Sequence, residues 1–244
     1  MKSTEIDFPT ETLLEQKNHL LLRIAEDERQ SVLAELELHD CEARHVFYEL
    51  GAPIEYVYFP QNCVASILTV MQDGTAIEAT TVGKEGLVGL PVFLGDDRSF
   101  QRAVCQVPGQ VWRMEVNTFK ELLGESAALK YELGRYTQAL FFMVAQSSAC
   151  NRLHTIEERC ARWLLLTHDR VDQDQFHLTQ DYLASMLGVR RASVNEAAGS
   201  LQKAGYIRYR RGVITVLDRP GLEAAACECY RVITDEFTRL VGLV

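Results

Sequence analysis

Apolar positions along the chain change their period several times. Near Asn18–Ala25 the spacing is helical. A second helix is expected from Asp27, where Asp27 and Gln30 stand as in a capping box and Leu33 and Leu36 form a stripe. From Val46 to about Met114 the pattern breaks into short β-prone runs closed by turn residues. Val57-Tyr58-Phe59 stops at Pro60, Val64–Met71 at Asp73-Gly74, and Ala76–Val82 at Gly83, while Ala103–Val107 and Val111–Met114 flank Pro108-Gly109. Such regular punctuation predicts an antiparallel roll or barrel.

From Val116 to His154 turn residues nearly vanish. Leu129, Leu133, Tyr136, Leu140, Met143, Ser147 and Cys150 recur at alternating intervals of four and three, a heptad-like seam. A helix of ~25 residues is ~38 Å long, more than a small barrel covers. Leu129, Leu133, Tyr136, Leu140 and Met143 are therefore expected to form a dimer interface. A further amphipathic helix, Ile156–Thr167, and a polar loop, Asp169–Gln175, follow.

Residues Leu178–Ile207 carry the most specific pattern. Thr179 suits an N-cap, and Leu183, Met186 and Leu187 make one apolar face. Ala184 is small where two helices must cross, and Gly188 stands where a tight turn needs positive φ. Val189, Val194, Ala197, Ala198 and Leu201 lay a second helix on the first, at helix-turn-helix spacing. Two strand-like runs, Tyr206–Tyr209 and Val213–Leu217, joined by Arg210-Arg211-Gly212, then read as a wing with a basic tip.

Charge sharpens this picture. The chain of 244 residues has a net charge of −9, which argues against indiscriminate nucleic-acid binding. Yet between Thr179 and Arg219 seven basic residues face only Asp181, Glu196 and Asp218. A basic module on an acidic body is the footprint of a DNA-binding domain. The longest apolar runs fall far below the ~18 residues of a membrane span, and Met1–Asp7 is polar and acidic; a cytoplasmic protein with no membrane partner is expected. The seven cysteines include no Cys-x2-Cys pair, and buried free thiols are expected.

In this order of parts, from roughly Asn18 to Arg231, the chain resembles the Crp/Fnr superfamily of bacterial transcription regulators. Tyr56-Val57-Tyr58-Phe59-Pro60, Asp73-Gly74 and Val82-Gly83-Lys84-Glu85-Gly86-Leu87-Val88-Gly89 resemble a subgroup with no generally assigned effector. The resemblance implies an α+β fold: an N-terminal antiparallel β-roll or jelly roll with flanking helices (1–125), a long dimerisation helix (126–154) and a C-terminal winged helix-turn-helix (155–244). It implies a homodimer on an inverted repeat of double-stranded DNA, with RNA polymerase and a small-molecule effector as further partners.

Carried over residue by residue, Arg191 falls where the family reads a guanine edge. The family's acid at the next position is Ala192 here, and its later arginine is Glu196, so a different operator is expected. Arg190, Ser193 and Asn195 are expected to face outward, with Thr179, Gln180, Arg210 and Arg211 on phosphates. Cyclic-nucleotide-binding members hold the ribose with Gly-Glu and the phosphate with Arg-Ser or Arg-Thr. Here Gly89 is followed by Leu90; Arg98-Ser99 lies too near Gly89, and the better-spaced position is Phe100 or Gln101, with Arg102 close. Leucine leaves ribose hydroxyls unpaired, so no cyclic nucleotide and no cofactor is expected.

Rival readings follow the same residues. A metal-dependent β-roll enzyme needs closely spaced ligands such as His-x-His; the six histidines offer no such pair, and neither an enzyme nor a metal site is expected. His39, His45 and His154 each read as isolated structural or surface residues. A thiol-based redox regulator remains compatible, with Cys150 and Cys160 as its candidates.

Overall fold

The computed structural model describes residues 17–171 and 173–242; the Met1–Asp7 segment lies outside the described residues. Two short helices, α1 (His19–Leu22) and α2 (Glu26–Ala34), lead into the roll. Helix α2 starts earlier than its expected capping box: Ala25 is the N-cap, without a side-chain cap. Asp27 instead lies in the first turn, where a negative charge suits the helix dipole.

The roll consists of two antiparallel sheets. One orders β1 (Glu37–Cys41), β7 (Gly109–Glu115) and β3 (Tyr56–Pro60). The other orders β2 (Val46–Tyr48), β6 (Arg102–Val107), β4 (Val64–Val70) and β5 (Ala76–Val82). Strand β1 precedes the region read as β-prone; its sequence Glu-Leu-His-Asp-Cys is mostly exposed at a sheet edge, so no apolar run announced it. A one-turn helix, α3 (Leu90–Phe93), follows Gly89, whose φ of +106° favours glycine.

Helix α4 (Val116–Glu125) leads to the 27-residue helix α5 (Ala127–Leu153), capped by Ser126. The heptad-like row of α5 is a seam, but with its own chain. Leu129, Leu133 and Tyr136 are 0% exposed and Met143 2%, all in the core of the roll, and Leu140 packs half-buried against it. The Tyr136 ring lies so close to Gly86 that no side chain fits there. Leu129, Leu133, Tyr136 and Met143 therefore have no surface left to offer a second copy and Leu140 only part of one, so the expected interface is turned into the chain's own core. Further along the helix Cys150 is buried by other elements of the same chain, while Phe141 and Leu153 stay exposed.

Helix α6 (Ile156–His168) opens the C-terminal module on a capping box between Thr155 and Glu158. Strand β8 (Gln175–His177), helices α7 (Gln180–Leu187) and α8 (Arg191–Lys203), and strands β9 (Ile207–Arg210) and β10 (Val213–Val216) complete a winged helix-turn-helix. Helices α9 (Arg219–Ala225) and α10 (Cys229–Val241) end the described chain. Ile233, Phe237, Leu240 and Val241 of α10 join the core of the roll, and Arg135 of α5 donates to the Leu240 carbonyl at 2.6 Å. The division expected at residue 155 thus fails for α10, whose apolar face returns to the first domain.

The modules are also tied directly. Glu85 and Arg170 form a buried ion pair at 2.7 Å, and Glu85 also accepts from the Gly83 amide at 3.0 Å. Trp163 Nε1 donates to Glu78 Oε1 at 2.7 Å, and the Ser66 and Tyr182 hydroxyl oxygens lie 3.1 Å apart. Among the described residues no helix is long and apolar enough to cross a membrane.

Candidate nucleic-acid interface

Helix α7 begins where the Thr179 hydroxyl accepts from the Tyr182 amide at 3.2 Å. It ends at Gly188, with φ +63°, and the Val189 amide returns to the Ala184 carbonyl at 3.0 Å. That reversal sets α8 across α7. Val194, Ala197, Ala198 and Leu201 are buried beneath it, which turns the other side of α8 to solvent.

The outward side carries the expected residues. Arg190, Arg191 and Asn195 are exposed, and Ser193 is half-buried. Gln180 Nε2 donates to Asn195 Oδ1 at 3.0 Å, which fixes the amide with its nitrogen free to donate elsewhere. Arg191 Nη1 lies 3.3 Å from Asp181 Oδ2, both side chains about two-thirds exposed. Such a solvent-exposed pair is worth only about 0–1 kcal/mol, so an incoming anion or base edge exchanges with it cheaply.

The wing is a two-residue hairpin. Arg210 pairs with Val213, and the turn residues Arg211 and Gly212 have φ of +54° and +74°. Positive φ at both positions is the type I′ geometry that matches strand twist. Arginine in that region is uncommon, and it places a cation at the tip. The hairpin is braced on the helices: Tyr209 donates its hydroxyl to the Leu178 carbonyl and its amide to Gln202 Oε1, each at 2.7 Å. A groove opens between these parts, lined by Thr179, Gln180, Arg191, Asn195, Gln202 and Arg211.

Sequence reasoning missed Asp181 as the counter-ion of Arg191, and Gln202 and Tyr209 as braces. A polar residue directly after Leu201, the last buried position of α8, was the available signal for Gln202. Arg219, counted in the basic window, is spent internally: it pairs with Asp169 at 2.6 Å and Glu223 at 2.9 Å.

The residues expected to hold an effector are each engaged within the chain. Gly89 takes its positive φ as a helix N-cap, and Leu90 packs half-buried on the core. Arg98 donates to the Gly51 carbonyl at 3.3 Å, and Arg102 pairs with Glu49 at 3.1 Å. Ser99 is buried and accepts from the Gln101 amide. Of the thiol candidates, Cys160 is fully buried, and burial pushes its thiol up to about 12, which makes it inert. Cys150 is also buried, but beside Cys227.

Comparison with known proteins locates both halves of this arrangement. The family model of the cyclic nucleotide-binding domain matches residues 38–126, and that of the Crp-like helix-turn-helix domain matches residues 158–225. Among solved structures the chain is similar to FixK2 from Bradyrhizobium japonicum, at 15% identity and a TM-score of 0.64, over 79% of this chain and 98% of that one. It is similar to a Crp/Fnr-family transcriptional regulator from Thermus thermophilus, at 23% identity and a TM-score of 0.59, over 78% and 98%. It is also similar to the c-di-GMP-responsive global regulator CLP of Xanthomonas campestris, at 15% and 0.61, over 79% and 99%. At these identities the likeness is one of fold. No curated protein matches the chain. Helix α10 lies beyond both matched regions.

Proposed function

Because this chain is a DNA-binding transcription regulator of the Crp/Fnr superfamily, we propose that it acts as a homodimer on an inverted-repeat operator, reading bases with α8 and phosphates with the wing. The observation that carries this reading is the exposed row Arg190, Arg191 and Asn195 beside the Arg211 wing tip. Arg191 has the fork that meets guanine O6 and N7 together, and Asn195 has the amide that meets adenine. Thr179 and Gln180 at the start of α7, with Arg210 and Arg211, suit the backbone on either side.

A different face of α5 supports pairing. Gly134, Gln138, Phe141, Ala145 and Ser148 are exposed and recur at intervals of four and three. Phe141 is 76% exposed. An aromatic residue with small Gly134, Ala145 and Ser148 on either side lets two helices approach closely around one apolar anchor. Pairing along this face sets two α8 helices for half-sites ~34 Å apart, one turn of DNA.

The effector of the roll is not a cyclic nucleotide in this reading. The interior between roll and α5 is filled by Tyr136 and its neighbours, Leu90 replaces a ribose-binding carboxylate, and Arg98 and Arg102 are engaged at the surface. Selection of bound fragments from a random DNA pool tests the main proposal. The expected product is an inverted repeat with a guanine in each half-site; enrichment of no sequence, or of single half-sites only, refutes it.

A further inference from the structure

The end of α5 and the start of α10 meet at a group of side chains that the regulatory reading leaves unused. Cys150 and His154 stand one helical turn apart, and Cys227, in the link after α9, and Cys229, the first residue of α10, flank Glu228. The Cys150 and Cys227 sulfurs are 3.5 Å apart, and Cys229 Sγ lies 3.6 Å from His154 Nδ1. All four ligand atoms lie within 4.8 Å of one another. The three cysteines are buried and have a small core of their own.

Packing alone accounts for buried thiols but not for what surrounds them. His154 Nε2 lies 3.0 Å from the Glu228 carboxylate, which leaves Nδ1 facing the sulfurs. A carboxylate behind a histidine is the arrangement that orients metal ligands. Gln146 Nε2 donates to Cys229 Sγ at 3.2 Å. The buried guanidinium groups of Arg159 and Arg162 on α6 lie within electrostatic range of Cys150 and Cys227.

We propose that Cys150, His154, Cys227 and Cys229 bind one tetrahedral zinc ion that clasps the long helix to the C-terminal helix across the hinge between the two modules. Zinc bonds of about 2.3 Å to sulfur and about 2.0–2.1 Å to nitrogen give tetrahedral edges of about 3.8 Å between sulfurs and about 3.5 Å between sulfur and nitrogen. The two separations across the group lie close to these edges. Thiolates and imidazole disfavour magnesium and calcium, and four protein ligands leave no open catalytic position. A multi-iron cluster places its thiolates on different irons and spreads them further apart. On binding, three thiol protons leave to solvent and no electron moves. The complex carries one net negative charge, opposed by Arg159 and Arg162. This replaces the sequence expectation of no metal site, which rested on the absence of Cys-x2-Cys and His-x-His pairs and on His154 standing alone.

The test uses the full-length chain, stripped by chelator under reducing conditions and titrated with cobalt(II). The expected result is one equivalent bound, with thiolate-to-cobalt charge-transfer bands and intense visible bands of tetrahedral cobalt, displaced by zinc. Cys227→Ser and Cys229→Ser should each abolish the charge-transfer pattern of the full site. Glu228→Gln, which keeps every ligand and the fold, should retain the spectrum with about 10–100-fold weaker binding. His39→Ala with His45→Ala, at a separate cluster with Cys41, should change nothing. The proposal is overturned if the folded, reduced chain shows no charge-transfer bands. It is equally overturned if Cys227→Ser keeps them undiminished, or if reconstitution yields iron with inorganic sulfide at these residues.

Discussion

Glu78 should make the contact between the roll and the DNA-binding module sensitive to pH, and Glu78→Gln should remove that sensitivity. Burial between β5 and α6 pushes the Glu78 carboxyl from 4.5 to about 7, against the hydrogen bonds that favour its charge. The local network explains why a proton fits. Ser66 Oγ lies 2.6 Å from Glu78 Oε2 and 2.8 Å from Gln106 Oε1. One hydroxyl hydrogen cannot serve both oxygens. A protonated Glu78 donates to Ser66, Ser66 donates to Gln106, and Trp163 donates to the other Glu78 oxygen. The raised pKa means that the folded chain binds more protons than the unfolded one between about 4.5 and 7. Stability from this group is therefore complete below 4.5, falls as pH rises through that window, and is gone above about 7. Its ceiling is about 3 kcal/mol, which residual exposure of the half-buried side chain reduces to about 1–2 kcal/mol. Glutamine reproduces the protonated hydrogen bonds. Urea denaturation followed by tryptophan fluorescence at pH 5 and pH 8 measures the effect. Glu78→Gln should gain about 1–2 kcal/mol on the wild type between the two pH values. A difference between the two proteins that stays constant with pH, or moves the other way, refutes the reasoning.

Arg191→Ala should cost about 1–3 kcal/mol on the selected operator and relax preference at one base pair per half-site, whereas Arg211→Ala should weaken all sequences alike and lower the salt slope by about one; salt-dependent fluorescence anisotropy separates the two. Phe141→Asp should yield monomers with greatly weakened operator binding, while the chain stays folded; sedimentation showing an unchanged dimer removes this face from consideration. Titration calorimetry should detect no binding of cyclic AMP or cyclic GMP at micromolar concentrations; a low-micromolar dissociation constant abolished by Arg98→Ala or Arg102→Ala would restore a nucleotide pocket.

Features set by local chemistry were legible in the sequence. Gly188 announced the turn between α7 and α8, and Arg211-Gly212 the wing, because positive φ restricts which residues can stand there. The period of α5 gave a buried row but not its partner: Leu129 and Tyr136 repeat at the same interval whether they face a second helix or a sheet. Strand β1 was invisible because an edge strand needs little apolar surface. The Cys150, His154, Cys227 and Cys229 group escaped for a topological reason. Its halves are 73 or more residues apart, joined only by the return of α10. The motif residue Glu85 is also clearer in three dimensions, where it is the buried partner of Arg170.

The return of α10 also bears on how the protein comes into being. Ile233, Phe237, Leu240 and Val241 are made after the whole DNA-binding module, yet they finish the core of the roll. During synthesis the roll emerges first, with the bed of that helix still bare on α5. A nascent roll therefore waits, with apolar surface open to chaperones, until ribosomes have delivered the last described helix. The same order defines which fragments are usable. A roll cut after α5 lacks part of its own interior, and a winged module carried to Val241 bears a greasy helix with nowhere to lie.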